Sequence, residues 1–155
     1  METSKKVFGP EHQDTLISVT NLARTYWIRG KLNEAEELQT KELEICVRKL
    51  GAEDPITLAI RNNLASTYRK QQRWNEAEEL QTKNFEISKR VHGQEHPRTL
   101  SGMSNLALTW KEQGRVAEAI KLMDECVQFQ MLVLGADHRD TLSSSRVLSM
   151  WKTER

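Results

Sequence analysis

Asparagine side chains recur along this chain at positions where they could hydrogen bond to the backbone of another polypeptide. Asn21, Asn63 and Asn105 each begin the tripeptide Asn-Leu-Ala, and successive copies are 42 residues apart. A carboxamide offers both a donor and an acceptor, as does each peptide unit of an extended chain. Asparagine disfavours helix interiors, so its repetition needs a reason. We interpret the three residues as a ladder for a bound peptide. Bracing of a neighbouring helix, or descent from one duplicated ancestor, are the open alternatives.

Other side chains share the helical face of these asparagines or its margin. At 100° per residue, this face lies opposite the apolar face of each helix. Trp27 falls at the margin of the face, in the same column as Lys111, and an exposed tryptophan is a typical contact residue. The residues that we predict to contact a partner are Asn21, Arg24, Trp27, Ile28, Asn63, Ser66, Lys70, Asn105, Leu108, Lys111 and Glu112.

A column of histidines could suggest a metal site. His12, His96 and His138 occupy equivalent positions, but consecutive helix pairs are separated by roughly 16–20 Å, which exceeds a shared coordination sphere. Asp54 fills the same column immediately before a proline. A helix-capping role therefore explains all four residues, and we predict no metal site.

No combination of residues indicates catalysis. The sequence contains no glycine-rich phosphate loop, no zinc-protease motif and no nucleophile elbow. Cys46 and Cys126 fall within amphipathic segments, where buried and unreactive thiols are expected, as in a reducing compartment. We predict a protein without enzymatic activity and without a cofactor.

The elements that position these residues follow from one repeat of 42 residues. The dipeptide Thr-Leu recurs at 15–16, 57–58, 99–100 and 141–142, and glycines fall at 9, 51, 93 and 135. Each copy has two segments with apolar residues at helical spacing, joined by a tight turn. The predicted helices are 14–29 and 32–50, with equivalents in later copies. The alanine column Ala35, Ala77 and Ala119 allows the helices to approach closely.

The repeat divides the chain into one all-α array of antiparallel helix pairs. Repeats are predicted at 9–50, 51–92 and 93–134. Residues 1–8 match the end of a preceding second helix, and 135–155 match a first helix or a capping helix. Because each repeat covers its neighbour, the short first segment predicts an exposed apolar end around Val7 and Phe8.

These motifs resemble the tetratricopeptide repeat. The resemblance rests on Asn-Leu-Ala-x-x-Tyr at 63–68, aromatic-x-Glu-Ala-Glu at 74–78 and Gly-x-Glu-His-Pro-x-Thr-Leu at 93–100. The long period is similar to that of kinesin light chains and of the repeat tails of fungal NOD-like receptors. The resemblance implies a right-handed superhelical solenoid whose first helices line a concave groove for peptides. It also implies that asparagines at this motif position contact the ligand.

Charge is sorted between the two helices of each repeat. The three first helices carry seven basic and two acidic residues, whereas the second helices carry seven basic and twelve acidic residues. A positive groove favours acidic peptides, although a solvated surface supported by pairs of opposite charge is the open alternative. The net charge of +1 argues against a nucleic-acid partner, and no apolar run is long enough to span a membrane. We therefore predict a cytoplasmic module, within an adaptor or receptor, that binds an acidic or extended peptide. The alternative is a structural element that self-associates through its ends.

Overall fold

The computed structural model describes residues 13–154, with side chains from residue 17 onward, and this range consists of seven α-helices without a strand. The helices are α1 (Gln13–Ile28), α2 (Leu32–Leu50), α3 (Pro55–Lys70), α4 (Trp74–His92), α5 (Pro97–Glu112), α6 (Val116–Val133) and α7 (Arg139–Thr153). Their bounds agree with the sequence-based expectation to within about two residues. The expectations for residues 1–8, and the capping role of His12, lie outside the described residues.

Each first helix of the second, third and fourth repeats begins at a side-chain cap. The Asp54 carboxylate accepts a hydrogen bond from the backbone N–H of Ile56 at 2.9 Å. His96 and His138 accept equivalent bonds at Nδ1, at 3.1 and 3.0 Å. A histidine can accept at Nδ1 only when its imidazole is neutral there. The capping role predicted for this column is therefore confirmed at the three described positions.

The second helices end at glycines whose φ angles are positive. Gly51, Gly93 and Gly135 have φ angles of 97°, 93° and 95°. At Gly51 the ψ angle is 157°, which is extended rather than helical. This combination of φ and ψ is essentially restricted to glycine. The glycine at the end of α2 thus has a conformational cause.

The chain divides into two compact units, and the division falls after Leu80, within α4. In the first unit, α2 packs against both α1 and α3. In the second unit, α6 packs against both α5 and α7. The alanines Ala35, Ala77 and Ala119 are each fully buried, which confirms that this column is a site of close helix contact.

The core of the second unit includes its last helix. Leu148 and Trp151 of α7 are buried together with Leu122 and Met123 of α6, in one apolar cluster. The last helix therefore covers the second helix of the third repeat. Cys126 is also fully buried in this cluster, and its Sγ donates to the carbonyl of Leu100 at 3.3 Å. Burial raises the pKa of the Cys126 thiol to about 11, so it is unreactive, as expected.

A buried polar contact recurs in both units. The hydroxyl of Thr67 donates to Oε1 of Gln39 at 2.6 Å, and Thr109 donates to Gln81 at 2.5 Å. Each bond joins the second helix of one repeat to the first helix of the next, and all four side chains are buried. A paired buried hydrogen bond restricts the register of helix packing, since a shift would leave both groups without partners. These bridges therefore fix the register of α3 and α5 relative to the helices that precede them.

Candidate peptide-binding cleft

A cleft of about 300 Å³ opens in the first unit and is lined by residues of α1, α2 and α3. Five of the residues predicted from sequence to contact a partner line it together. Two further lining residues, Thr20 and Gln39, complete its wall. The lining residues from the predicted set are Asn21, Arg24, Trp27, Asn63 and Ser66. The structure thus brings together five of the seven contact residues predicted in the first two repeats.

The two asparagine amides are available to a ligand. Asn21 and Asn63 are exposed, and within residues 17–154 neither side chain forms a hydrogen bond. A side chain that braced a neighbouring helix would be bonded to it. Of the three interpretations left open by the sequence, the geometry at these positions argues against bracing and leaves contact with a partner or descent from one duplicated ancestor.

The cleft is cationic. Arg24 is exposed on its wall, and no aspartate or glutamate of the described range 17–154 is among its lining residues. Lys70 lies at the margin, where its ammonium group stands over the ring of Trp27, 4.9 Å from the ring centre. A concave site lined by one sign of charge concentrates the electric field, so the preference for anionic groups stays a prediction for this cleft.

Trp27 is half-buried, whereas the sequence predicted an exposed contact residue. Its indole N–H is buried and has no hydrogen-bond partner among the described residues. The ring stays accessible from the cleft. The Lys70 ammonium group forms a cation–π contact with it. Ile28, the next predicted residue, is 66% exposed at the end of α1 and does not line the cleft.

The contact residues predicted in the third repeat are placed differently. Asn105 is half-buried and already engaged with another group. Leu108 packs against the core of the second unit. The ammonium group of Lys111 lies 3.0 Å from the Glu154 carboxylate, and Glu112 is exposed. Because Asn105, Leu108 and Lys111 are already engaged, we expect the third repeat to offer a weaker site than the first two.

A buried carboxyl group lies beneath the cleft wall. Glu42 of α2 is 2% exposed, and its carboxylate accepts a hydrogen bond from the Thr20 hydroxyl. Burial raises the pKa of Glu42 to about 7, although the bond from Thr20 opposes this effect. One helical turn further, burial and the neighbouring Glu42 and Asp54 raise the pKa of Cys46 to about 11. Sequence reasoning did not identify Glu42.

Comparison with known proteins places the chain in a family. Models described as tetratricopeptide repeat match residues 17–81 and 56–112, and a second such model matches residues 99–140. The chain belongs to the tetratricopeptide repeat family. A search of curated protein sequences gave no significant match.

Solved structures define the type of repeat. Two crystal structures of the nearly identical TPR-like repeats of a putative kinesin light chain from Podosopora anserina are 30% identical in sequence, with TM-scores of 0.86 and 0.84. The match covers 98% of this chain and 72% of those chains. BtubC from P. vanneervenii is 19% identical over 90% of this chain and 56% of its own length, with a TM-score of 0.80. The resemblance to kinesin light chain-like repeats is confirmed, and so is the all-α solenoid fold.

A more distant structure shares the fold. The TPR domain of Sgt2 from Aspergillus fumigatus is 18% identical over 90% of this chain and 78% of its own length, with a TM-score of 0.60. Members of the tetratricopeptide repeat family typically bind peptides or other proteins, so the chain is a protein–protein interaction module. Families of this kind are generally non-enzymatic. No helix in the described range is long and apolar enough to cross a bilayer.

Proposed function

We propose that the cleft between α1 and α3 binds an extended segment of a partner polypeptide that carries acidic side chains. The observation that supports this proposal is the convergence of two asparagine amides and an exposed arginine in one cleft, where the described residues provide neither a bond to these amides nor a lining carboxylate. We place this module within an adaptor or receptor that acts in the cytoplasm. The relation to fungal NOD-like receptor tails stays a prediction.

Each lining group has a role that its chemistry supports. The Asn21 and Asn63 amides can each donate to and accept from the backbone of an extended peptide, which fixes its path without regard to sequence. Arg24 can form a bidentate pair with an acidic side chain, which selects for sequence. Trp27 offers a rigid aromatic surface for an apolar or backbone contact. Affinity and selectivity therefore come from different residues of the same cleft.

Charge-reversal variants test the acidic preference. We expect an unstructured acidic peptide of about ten residues to bind at least tenfold more weakly to Arg24→Glu, since the pair with the carboxylate becomes a repulsion. Lys83→Glu makes the same charge change at an exposed position of α4 outside the cleft and should leave binding nearly unchanged. Asn63→Ala should weaken acidic and neutral peptides alike, by about threefold to tenfold. Fluorescence anisotropy of labelled acidic, neutral and basic peptides provides the measurement. Equal loss in Arg24→Glu and Lys83→Glu would show that general charge, rather than the cleft, attracts the peptide.

One observation favours the alternative function, self-association. Met131, Leu132 and Val133 at the end of α6 are 48%, 77% and 39% exposed. The first and second repeats carry Arg48 and Arg90 in the column of Leu132. The exposed apolar end predicted around Val7 and Phe8 lies outside the described residues, so this surface is a separate candidate.

Sedimentation tests self-association directly. If the end of α6 joins two copies, the chain should sediment as a concentration-dependent mixture. Leu132→Arg restores the residue of the other repeats and should shift the mixture to monomer, because it removes apolar area from the contact. Lys121→Arg on the same helix is the matched control. A chain that stays monomeric at high concentration would exclude this function and leave the peptide cleft unaffected.

A further inference from the structure

Glu42 is placed where its charge can act on the cleft. It is 2% exposed and does not line the cleft itself, but the Thr20 hydroxyl to which it is bonded belongs to a side chain of the wall. A single side chain therefore separates the carboxylate from the space that a ligand would occupy. Few water molecules can screen a charge that is so deeply buried, so its effect on a ligand in the cleft is larger than that of a surface charge.

The acidic residue is specific to the repeat that forms the cleft. The positions equivalent to Glu42 are Asn84 in the second repeat and Cys126 in the third. An asparagine has no ionisable proton, and burial raises the pKa of the Cys126 thiol to about 11. This position of the repeat therefore accepts a neutral residue. Among the three repeats, only the first, whose copy lies beneath the cleft, carries a group there that changes charge near neutral pH.

The other charged or ionisable groups of this region lie on all three helices. On α1, Arg24 shares the cleft wall with Thr20. On α3, Arg61 is 2% exposed and donates to the carbonyl of Ala52 at 3.4 Å, and an arginine stays cationic near neutral pH. On α2, burial raises the pKa of the Cys46 thiol to about 11. Asp54 caps the start of α3. Among these groups, Glu42 is the one whose pKa is raised to about 7.

We propose that protonation of Glu42 regulates the cleft: the neutral carboxyl admits acidic peptides, and the ionised carboxylate repels them. This inference rests on the proposed function and adds a regulation of peptide binding by pH. The pair formed between Arg24 and an acidic ligand is weakened when a buried negative charge lies one side chain away. By reciprocity, an acidic ligand that binds to the cleft favours the protonated form and takes up a proton.

The pH range over which Glu42 titrates makes this regulation relevant to cellular pH. The pKa of Glu42, raised to about 7 by burial, places the change of charge between mildly acidic and mildly alkaline solution. The carboxylates of the peptide are fully ionised throughout this range, and no histidine of residues 17–154 lines the cleft. We therefore expect the affinity for an acidic peptide to fall about fivefold between about pH 6 and about pH 8.5.

The experiment compares the full chain with variants at two pH values, using the labelled acidic peptide and the neutral peptide of equal length. Glu42→Gln removes the titrating group and should bind the acidic peptide with the higher affinity at both pH values. Glu42→Asn copies the residue of the second repeat and provides a second variant in case the longer amide does not fit. Glu79→Gln removes the same charge from an exposed position of α4 and should keep the pH dependence of the wild type.

The outcomes separate the two proposals. A pH dependence in the wild type that disappears in the Glu42 variants, and is absent for the neutral peptide, supports the inference. Binding of the acidic peptide that is equal at both pH values, or that depends on pH equally in the Glu42 variants, overturns the inference while the proposed function stands. An acidic peptide that binds at neither pH value overturns both.

Discussion

Replacing Trp151 with alanine is expected to lower the free energy of unfolding by about 3–5 kcal/mol, because it removes a large buried side chain. The indole of Trp151 is 6% exposed and lies in the apolar core of the second unit, with Leu148 of the same helix and Met123 of α6. Its removal leaves a cavity that the close-packed alanines of α5 and α6 cannot fill. It also removes the ring over which the Lys111 ammonium group lies, 5.9 Å from the ring centre.

Urea denaturation followed by far-ultraviolet circular dichroism measures this effect. Met150→Ala is the matched control, because Met150 is the preceding residue of α7 and is 53% exposed. We expect that variant to change the free energy of unfolding by less than about 0.5 kcal/mol. Similar midpoints for Trp151→Ala and the wild type would show that α7 does not close the core of the second unit.

Replacing Glu42 with glutamine is expected to stabilise the protein above neutral pH and to have little effect at about pH 5. The folded protein holds the pKa of this group at about 7, above its ordinary value of 4.5. The folded state therefore binds the proton more tightly than the unfolded state. Stability from this group is complete below its ordinary pKa and is lost as pH rises through the folded value. The loss amounts to roughly 3 kcal/mol at alkaline pH, and the variant avoids it.

Unfolding curves between about pH 5 and about pH 8.5 provide the test, and the upper limit stays below the range in which Cys46 ionises. The stability of the wild type should decline across this interval more steeply than that of Glu42→Gln. Glu79→Gln should follow the wild type, since it removes an exposed charge. Parallel curves for all three proteins would mean that Glu42 ionises in the folded state as easily as in water.

The regular elements of the fold could be predicted because their signals repeat. Four copies of one motif at a spacing of 42 residues locate the helices without any tertiary information. The capping column of Asp54, His96 and His138 could be identified because the hydrogen bond that it forms is local, between residues two apart. Exposure of Asn21 and Asn63 followed from helical periodicity alone.

Features that depend on contacts between helices could not be predicted in the same way. The Thr67–Gln39 and Thr109–Gln81 bridges leave a signal in the sequence, since the two residues of each bridge are 28 positions apart. Recognising that these residues form a hydrogen bond nevertheless requires knowledge of how the helices pack. Glu42 carries no signal at all, because a glutamate in an acidic helix is expected to be solvated. The engagement of Lys111 by Glu154 likewise depends on how α7 folds back on α5.

The location of the bound peptide tests the central proposal most directly. Nuclear magnetic resonance of the 15N-labelled chain resolves the side-chain amides of asparagine and the indole N–H of tryptophan. On addition of the acidic peptide at mildly acidic pH, we predict that the largest shifts occur in the amides of Asn21 and Asn63 and in the indole of Trp27. The amides of Asn33 and Asn75, outside the cleft, should stay unchanged. Shifts confined to α6 and α7, with Asn21 and Asn63 unaffected, would contradict the proposal that the cleft of the first unit is the binding site.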